Sequence, residues 1–325
     1  MHFCNPIFRH YLILLIGFAS LFIVVPSSYA NTDKPKIAII QQLLTVPENQ
    51  IDLAFAKVTI DKLVDPSVDV EDTLARLDGM VKSIEAFAGP NASADQKIAA
   101  IRTYIYRAGP WNEGKVFSYN LKDPLGTYIP SKLLANYLDH RLGNCVSMPF
   151  LFIAIADRMG LNVTASTAPH HVFVKYTSPA GKTINLETTS GANPSRDTWV
   201  RQNMPMTELA ISNGVYLKTL TKRETLVVMA MVFVEYAMEQ GRYGTVLDTA
   251  PILLKHYPNY VDAHIAYGSA ASRILEKNFY TKYPTPQDIP QQQRGFYQHL
   301  IGINKGAFDH AEKLGWQPDN DLIGY

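Results

Sequence analysis

The sequence predicts an α+β fold: helices first, then a small antiparallel sheet beside one buried helix, then a helical C-terminal region. Three observations carry this. The apolar stretch 148–159 is hydrophobic nearly all round, which marks a buried central helix. Residues 171–187 alternate in polarity on either side of Ser178-Pro179-Ala180-Gly181, a hairpin signature. From about Arg223 the chain returns to helical spacing, broken at Gly241-Arg242-Tyr243 and stopped at Pro258.

The chain has 325 residues, 47% apolar and 18% charged, which is ordinary globular composition. Lys plus Arg is 30 and Asp plus Glu is 29. The first thirty residues hold one base, Arg9, and no acid, so the remainder balances at zero. A neutral chain argues against a dominant nucleic-acid or anionic-membrane surface.

The elements read as follows. Arg9 and His10 precede an apolar run over 11–25, and Ser28-Tyr29-Ala30 resembles a cleavage site. A run of this length is short for a membrane span, which needs roughly 20 apolar residues. Residues 1–30 are therefore expected to be a signal peptide cleaved after Ala30. The protein is then exported, periplasmic or extracellular, with no membrane span left. Residues 31–48 read as a leader. Ile51 to Ile60 and then Val70, Leu74, Leu77, Val81 and Ile84 predict helices, the second ended by Gly89-Pro90. Ser93 with Gln96 makes a capping box for the next. Residues 109–130 read as a long loop, Ser131 caps a further helix, and Gly143 stops it. Asn144 or Ser147 can cap the buried helix, with Pro149 in its first turn. Residues 162–167 predict a strand before the hairpin. After the C-terminal helical pair, 281–292 read as a loop and 295–314 as a last helix.

Only two cysteines occur, Cys4 and Cys145. Export removes Cys4, leaving one unpaired thiol at a helix start. A helix N-terminus favours a thiolate, and a nucleophilic Cys also needs a His and a group to orient it. A turn centred near Pro179 sets His171 opposite Glu187, at a separation a carboxylate can bridge. His171, Lys175, Thr183, Asn185 and Glu187 then share one face. A slipped register leaves Asn185 as the orienting group. His170 is the alternative base, although strand alternation points it to the opposite face.

The order Cys, His, acid is that of papain-like enzymes. The sequence resembles the transglutaminase-like superfamily and, within it, the SirB family. That family joins a transglutaminase-like domain to tetratricopeptide-type helices. The resemblance runs from about Ile51 to the C-terminus. It rests on Asp123-Pro124, Leu133-Leu134, Arg141-Leu142-Gly143, the Gly-x-Cys-x-Ser pattern at 143–147, Asp157-Arg158-Met159-Gly160-Leu161, and 169–176. It implies a papain-like transglutaminase core over 49–205 and a helical tetratricopeptide-like domain over 206–325. It also implies Cys145 as nucleophile, His171 as general base and Glu187 where such proteins usually carry Asp. The chain departs from the family at His170, where Gly is expected.

Two functions follow. One is a thiol hydrolase or acyltransferase, a peptidase, amidase or transglutaminase type, acting on amide bonds of a protein or peptide through Cys145, His171 and Glu187. The other is a non-catalytic envelope protein that holds a partner in the cleft or on its C-terminal helices. No cofactor is expected. The nine histidines form no H-x-x-x-H or Cys/His cluster, so a metal site built on His170, His171 and His140 or Glu187 is not favoured. Trp111, Tyr119 and Asn120 are candidates to join the Cys145 amide in holding an oxyanion.

Overall fold

The computed structural model describes residues 33–124 and 126–318, so the expected signal segment and Cys4 lie outside the described residues. Four helices open the fold: α1 (Lys34–Thr45), α2 (Leu53–Val64), α3 (Val70–Ala88) and α4 (Ala94–Tyr106). A long loop carries β1 (Ser118–Tyr119), followed by α5 (Leu134–His140), β2 (Leu142–Gly143) and α6 (Ser147–Arg158). The sheet strands are β3 (Val163–Ala168), β4 (His171–Thr177), β5 (Thr183–Glu187) and β6 (Asn193–Ser195), antiparallel in chain order. Then come α7 (Asp197–Asn203), α8 (Glu208–Ser212), α9 (Lys222–Glu239), α10 (Tyr243–His256), α11 (Val261–Leu275) and α12 (Gln291–Lys313). This is the α+β architecture that the sequence predicts.

Helix α6 is the hub. Every side chain from Ser147 to Ala156 is buried, and the helix packs against α2, α3, α5, β3 and β4. Pro149 sits in its first turn, where a missing N–H costs nothing. Helix α9 is likewise buried from Glu224 to Val234 and contacts α2, α10 and β3. One continuous apolar core therefore runs from α1 through α6 and the sheet into α9 and α10.

The segment expected to be a leader holds α1. Its Ile37, Ile40 and Leu44 recur at helical spacing and are buried, with the helix packed on α9 and α10. Asp33, just before α1, is gripped by Arg242 (2.8 Å) and Thr245 (2.8 Å). That contact is 209 residues long-range, so no local pattern announces it.

Charge is also buried where the apolar pattern gives no hint. Lys57 pairs with Asp61 inside the core, both fully buried. Burial pushes the Lys57 ammonium below its ordinary value and the Asp61 carboxyl above its own. The pair is not isolated: Lys57 donates to the Lys132 carbonyl (3.0 Å) and Asp61 accepts from Leu134 N–H (2.8 Å). Together they tie α2 to the start of α5, beside the loop that leads to Cys145.

The hairpin register differs from the sequence expectation. Lys175 pairs with Asn185 and Thr177 with Thr183, which centres the turn on Ala180 rather than Pro179. The cause is local. Gly181 takes φ +80° and its N–H bonds to Ser178, while Ser178 N–H bonds to Lys182. This three-residue loop needs a left-handed residue at its end, and Gly181 supplies it. Glu187 thus lies level with Phe173, diagonal to His171 instead of opposite.

Candidate active site

Asn144 builds the start of α6. It is fully buried, and its Oδ1 accepts from Val146 N–H (2.9 Å) and Ser147 N–H (3.1 Å). Its own N–H donates to Ser147 Oγ (3.1 Å), the reciprocal half of a cap. Its Nδ2 donates to Ser131 Oγ (2.8 Å), and that hydroxyl lies 2.6 Å from Asp123 Oδ2. The sequence offered Asn144 or Ser147 as caps; the structure uses both.

Cys145 follows, two residues before α6 begins, and is 4% exposed. Among the described residues no acceptor takes its amide N–H. An unpaired amide at a buried helix N-terminus is the kind of donor an oxyanion needs. Gly143 packs under it with no room for a side chain: an added Cβ would stand 2.6 Å from the Tyr137 ring and 2.8 Å from Met148.

The strand β4 begins at His171. Its Nε2 lies 2.8 Å from Glu187 Oε2, and its ring also hydrogen-bonds with Cys145. Burial works against the imidazolium, but hydrogen bonds to Cys145 and Glu187 and both charges outweigh it, and the His171 pKa is pushed up to about 9. Glu187 is 4% exposed. Burial alone would raise its carboxyl, yet the bonds from His171 and Thr189 hold it below the ordinary value. Thr189 reaches Oε1 through its N–H (3.0 Å) and its hydroxyl (2.6 Å).

The structure therefore brings Cys145, His171 and Glu187 together and leaves the alternatives outside. His170 lies in the tight β3–β4 turn rather than in a strand, at φ +54°. That left-handed angle explains why Gly is expected there. Its ring is exposed and shares a field with Asp262, while its carbonyl lies 3.8 Å from Cys145 Sγ. Asn185 faces Lys175 (2.8 Å) and Asp197 (2.7 Å), away from His171. Among the described residues no three His, Cys, Asp or Glu side chains are grouped to hold a metal ion.

Residues 71–230 match the family described as the transglutaminase-like superfamily. The chain carries a transglutaminase-like domain. Such domains belong with the papain-like cysteine hydrolases and acyltransferases. No curated protein and no protein of solved structure matches the chain.

Within this transglutaminase-like domain, the three loop residues separate. Trp111 is turned onto Phe87 (ring centroids 5.0 Å apart), with its indole N–H on Arg107. Asn120 accepts from Lys122 N–H, and its own N–H holds the Gly143 carbonyl (2.7 Å). Tyr119 pairs with Gly143 through the parallel β1–β2 bridge and shares a field with Cys145 and Glu187. Its phenol donates to Pro124 O (2.7 Å). Sequence reading missed Thr189, Ser131 and Asp123 as supports. The near-adjacency of Thr189 to Glu187 was the one available signal. The contact between Ser131 and Asn144 spans 13 positions, across α5 and β2, and had none.

Proposed function

We propose that this chain is an exported thiol enzyme of the transglutaminase-like type that acts on an amide bond of a protein or peptide. One observation carries the reading: the His171 imidazole hydrogen-bonds with the Cys145 thiol and is held by the Glu187 carboxylate at 2.8 Å. Cys145 attacks the carbonyl carbon, and the Cys145 amide receives the developing oxyanion. The C–N bond breaks as His171 passes its proton to the leaving amine. An acyl-enzyme thioester remains. His171 then takes a proton from water or from a second amine, which attacks the thioester and frees the thiol. Water makes the enzyme a hydrolase; an amine makes it an acyltransferase.

The expected signal segment over 1–30 supports export to the periplasm or outside the cell. The SirB-type sequence pattern supports a helical, tetratricopeptide-like C-terminal domain beside the catalytic one. None of the described helices is long and apolar enough to cross a membrane.

A thiol-reactive peptide probe tests the reading. It should label the native protein, label His171→Ala weakly or not at all, and never label Cys145→Ala. Equal labelling of native protein and His171→Ala sinks it. The second reading is a non-catalytic envelope binding protein, favoured by the low exposure of Cys145. On that reading a Cys145→Ala strain keeps the cellular role intact; a strain that behaves like the deletion rejects it.

A further inference from the structure

We infer that Thr189 is a positioning residue of this site, the clamp that lets a glutamate do what an aspartate usually does. The inference rests on the Cys145–His171–Glu187 reading and adds a fourth residue to it.

The argument starts from the hairpin register. His171 and Glu187 are diagonal neighbours across β4 and β5, not opposed ones. Diagonal positions lie about 7–8 Å apart, further than directly opposed pairs. The extra methylene of Glu spans that gap, but it adds a rotatable bond. An unrestrained carboxylate would sample several rotamers, and only some would meet Nε2. Thr189 removes that freedom. Its N–H (3.0 Å) and its hydroxyl (2.6 Å) both land on Oε1, which leaves Oε2 aimed at the imidazole. The hydroxyl contact is short, as expected of a hydrogen bond to a charged acceptor.

The clamp is itself held. Thr189 belongs to the single 3-10 turn Thr188–Ser190 that follows β5. Across that turn Asn193 Nδ2 donates to the Ser190 carbonyl (2.6 Å), and Arg102 from α4 donates to the Gly191 carbonyl (3.3 Å). The residues just after Thr189 are thus held from two sides. The titratable groups facing the pair are Cys145 on the His171 side, and Tyr106 from α4 and Tyr119 from β1 on the Glu187 side. Burial raises both phenols, so they stay neutral through the range in which His171 titrates. What changes when Thr189 changes is therefore the carboxylate.

Two measurements on the full chain test this: the His171 titration midpoint by imidazole NMR, and the Cys145 alkylation rate by iodoacetamide between pH 5 and 10. Thr189→Val keeps the shape and the backbone N–H but loses the hydroxyl. It should lower the His171 midpoint and slow alkylation at pH 6 about tenfold. The difference should vanish near pH 10, where the thiolate forms without an imidazolium. Thr189→Ser should restore both values. If Thr189→Val does not fold by circular dichroism, Thr189→Ala is read in the same way. A native midpoint near 9 with Thr189→Val unchanged overturns the clamp and leaves the triad reading standing. A native midpoint near 6.5, with alkylation like that of a free thiol, overturns both.

Discussion

The site region and the C-terminal helices bury different things. Around α6 and the sheet, polar side chains go inward: Asn144, Lys175, Asn185 and Glu187 are all buried and all hydrogen-bonded. In the α11–α12 pair and the turn that follows α11, burial is apolar: Ile274, Leu275, Phe279, Phe296 and Leu300 form their own cluster, and the Lys305–Asp309 pair of α12 faces solvent. The physical consequence is unequal tolerance. A buried polar network fails when one member is left unpaired, because the orphaned group cannot return to water. An apolar seam loses only area and packing, and its outer face is free to vary.

The strongest break of this comparison is Cys145→Ala. Probe labelling should be lost entirely while the melting temperature stays within a few degrees, because a small buried thiol contributes little packing. Next is Glu187→Gln, which keeps the shape and removes the charge that holds His171. Labelling at neutral pH should fall about a hundredfold, and the His171 midpoint should drop from about 9 toward its ordinary value. Unchanged NMR titration of the imidazole would show that Glu187 does not govern it.

The same pair has a pH signature in stability. The folded-state His171 value lies above its ordinary 6.5, so its contribution is complete below pH 6.5 and is lost as pH rises through about 9. Glu187 lies below its ordinary 4.5, so its contribution is complete above that and is lost as pH falls through the lowered value. Denaturant melts of native protein against His171→Gln should differ most between pH 4.5 and 6.5. A difference that grows above pH 9 would contradict the assignment.

Asn144→Ala is a smaller test. It orphans Val146 and Ser147 amides and should cost about 1–3 kcal/mol, with labelling reduced in the folded protein because the Cys145 amide is no longer aimed. The smallest effect on labelling belongs to Leu300→Ala in the other region. It should cost about 2–5 kcal/mol of stability and leave the labelling rate per folded molecule unchanged. Altered labelling there would mean that the helical array and the site are coupled, which would sharpen the comparison into an allosteric one.

Much of the fold was legible because its signals are local. The mostly apolar stretch 148–159 reads as a buried helix, and α6 is one. Ser93 and Gln96 announced a capping box, and α4 has it in full. The strand-turn-strand pattern around Pro179 announced the β4–β5 hairpin. The register, in contrast, turned on one residue: Gly181 adopts the left-handed conformation and moves the turn centre by one position. A sequence shows that a glycine can do this, not that it does.

What the sequence by itself determined was the class of fold and the candidate trio, since periodicity, caps and chain order are properties of neighbours along the chain. Which of two histidines meets the thiol, whether Glu187 or Asn185 meets the histidine, and which threonine holds that carboxylate were decided by the tertiary structure. These depend on distances between strands and across loops, and a single residue's slip in register exchanges one partner for another.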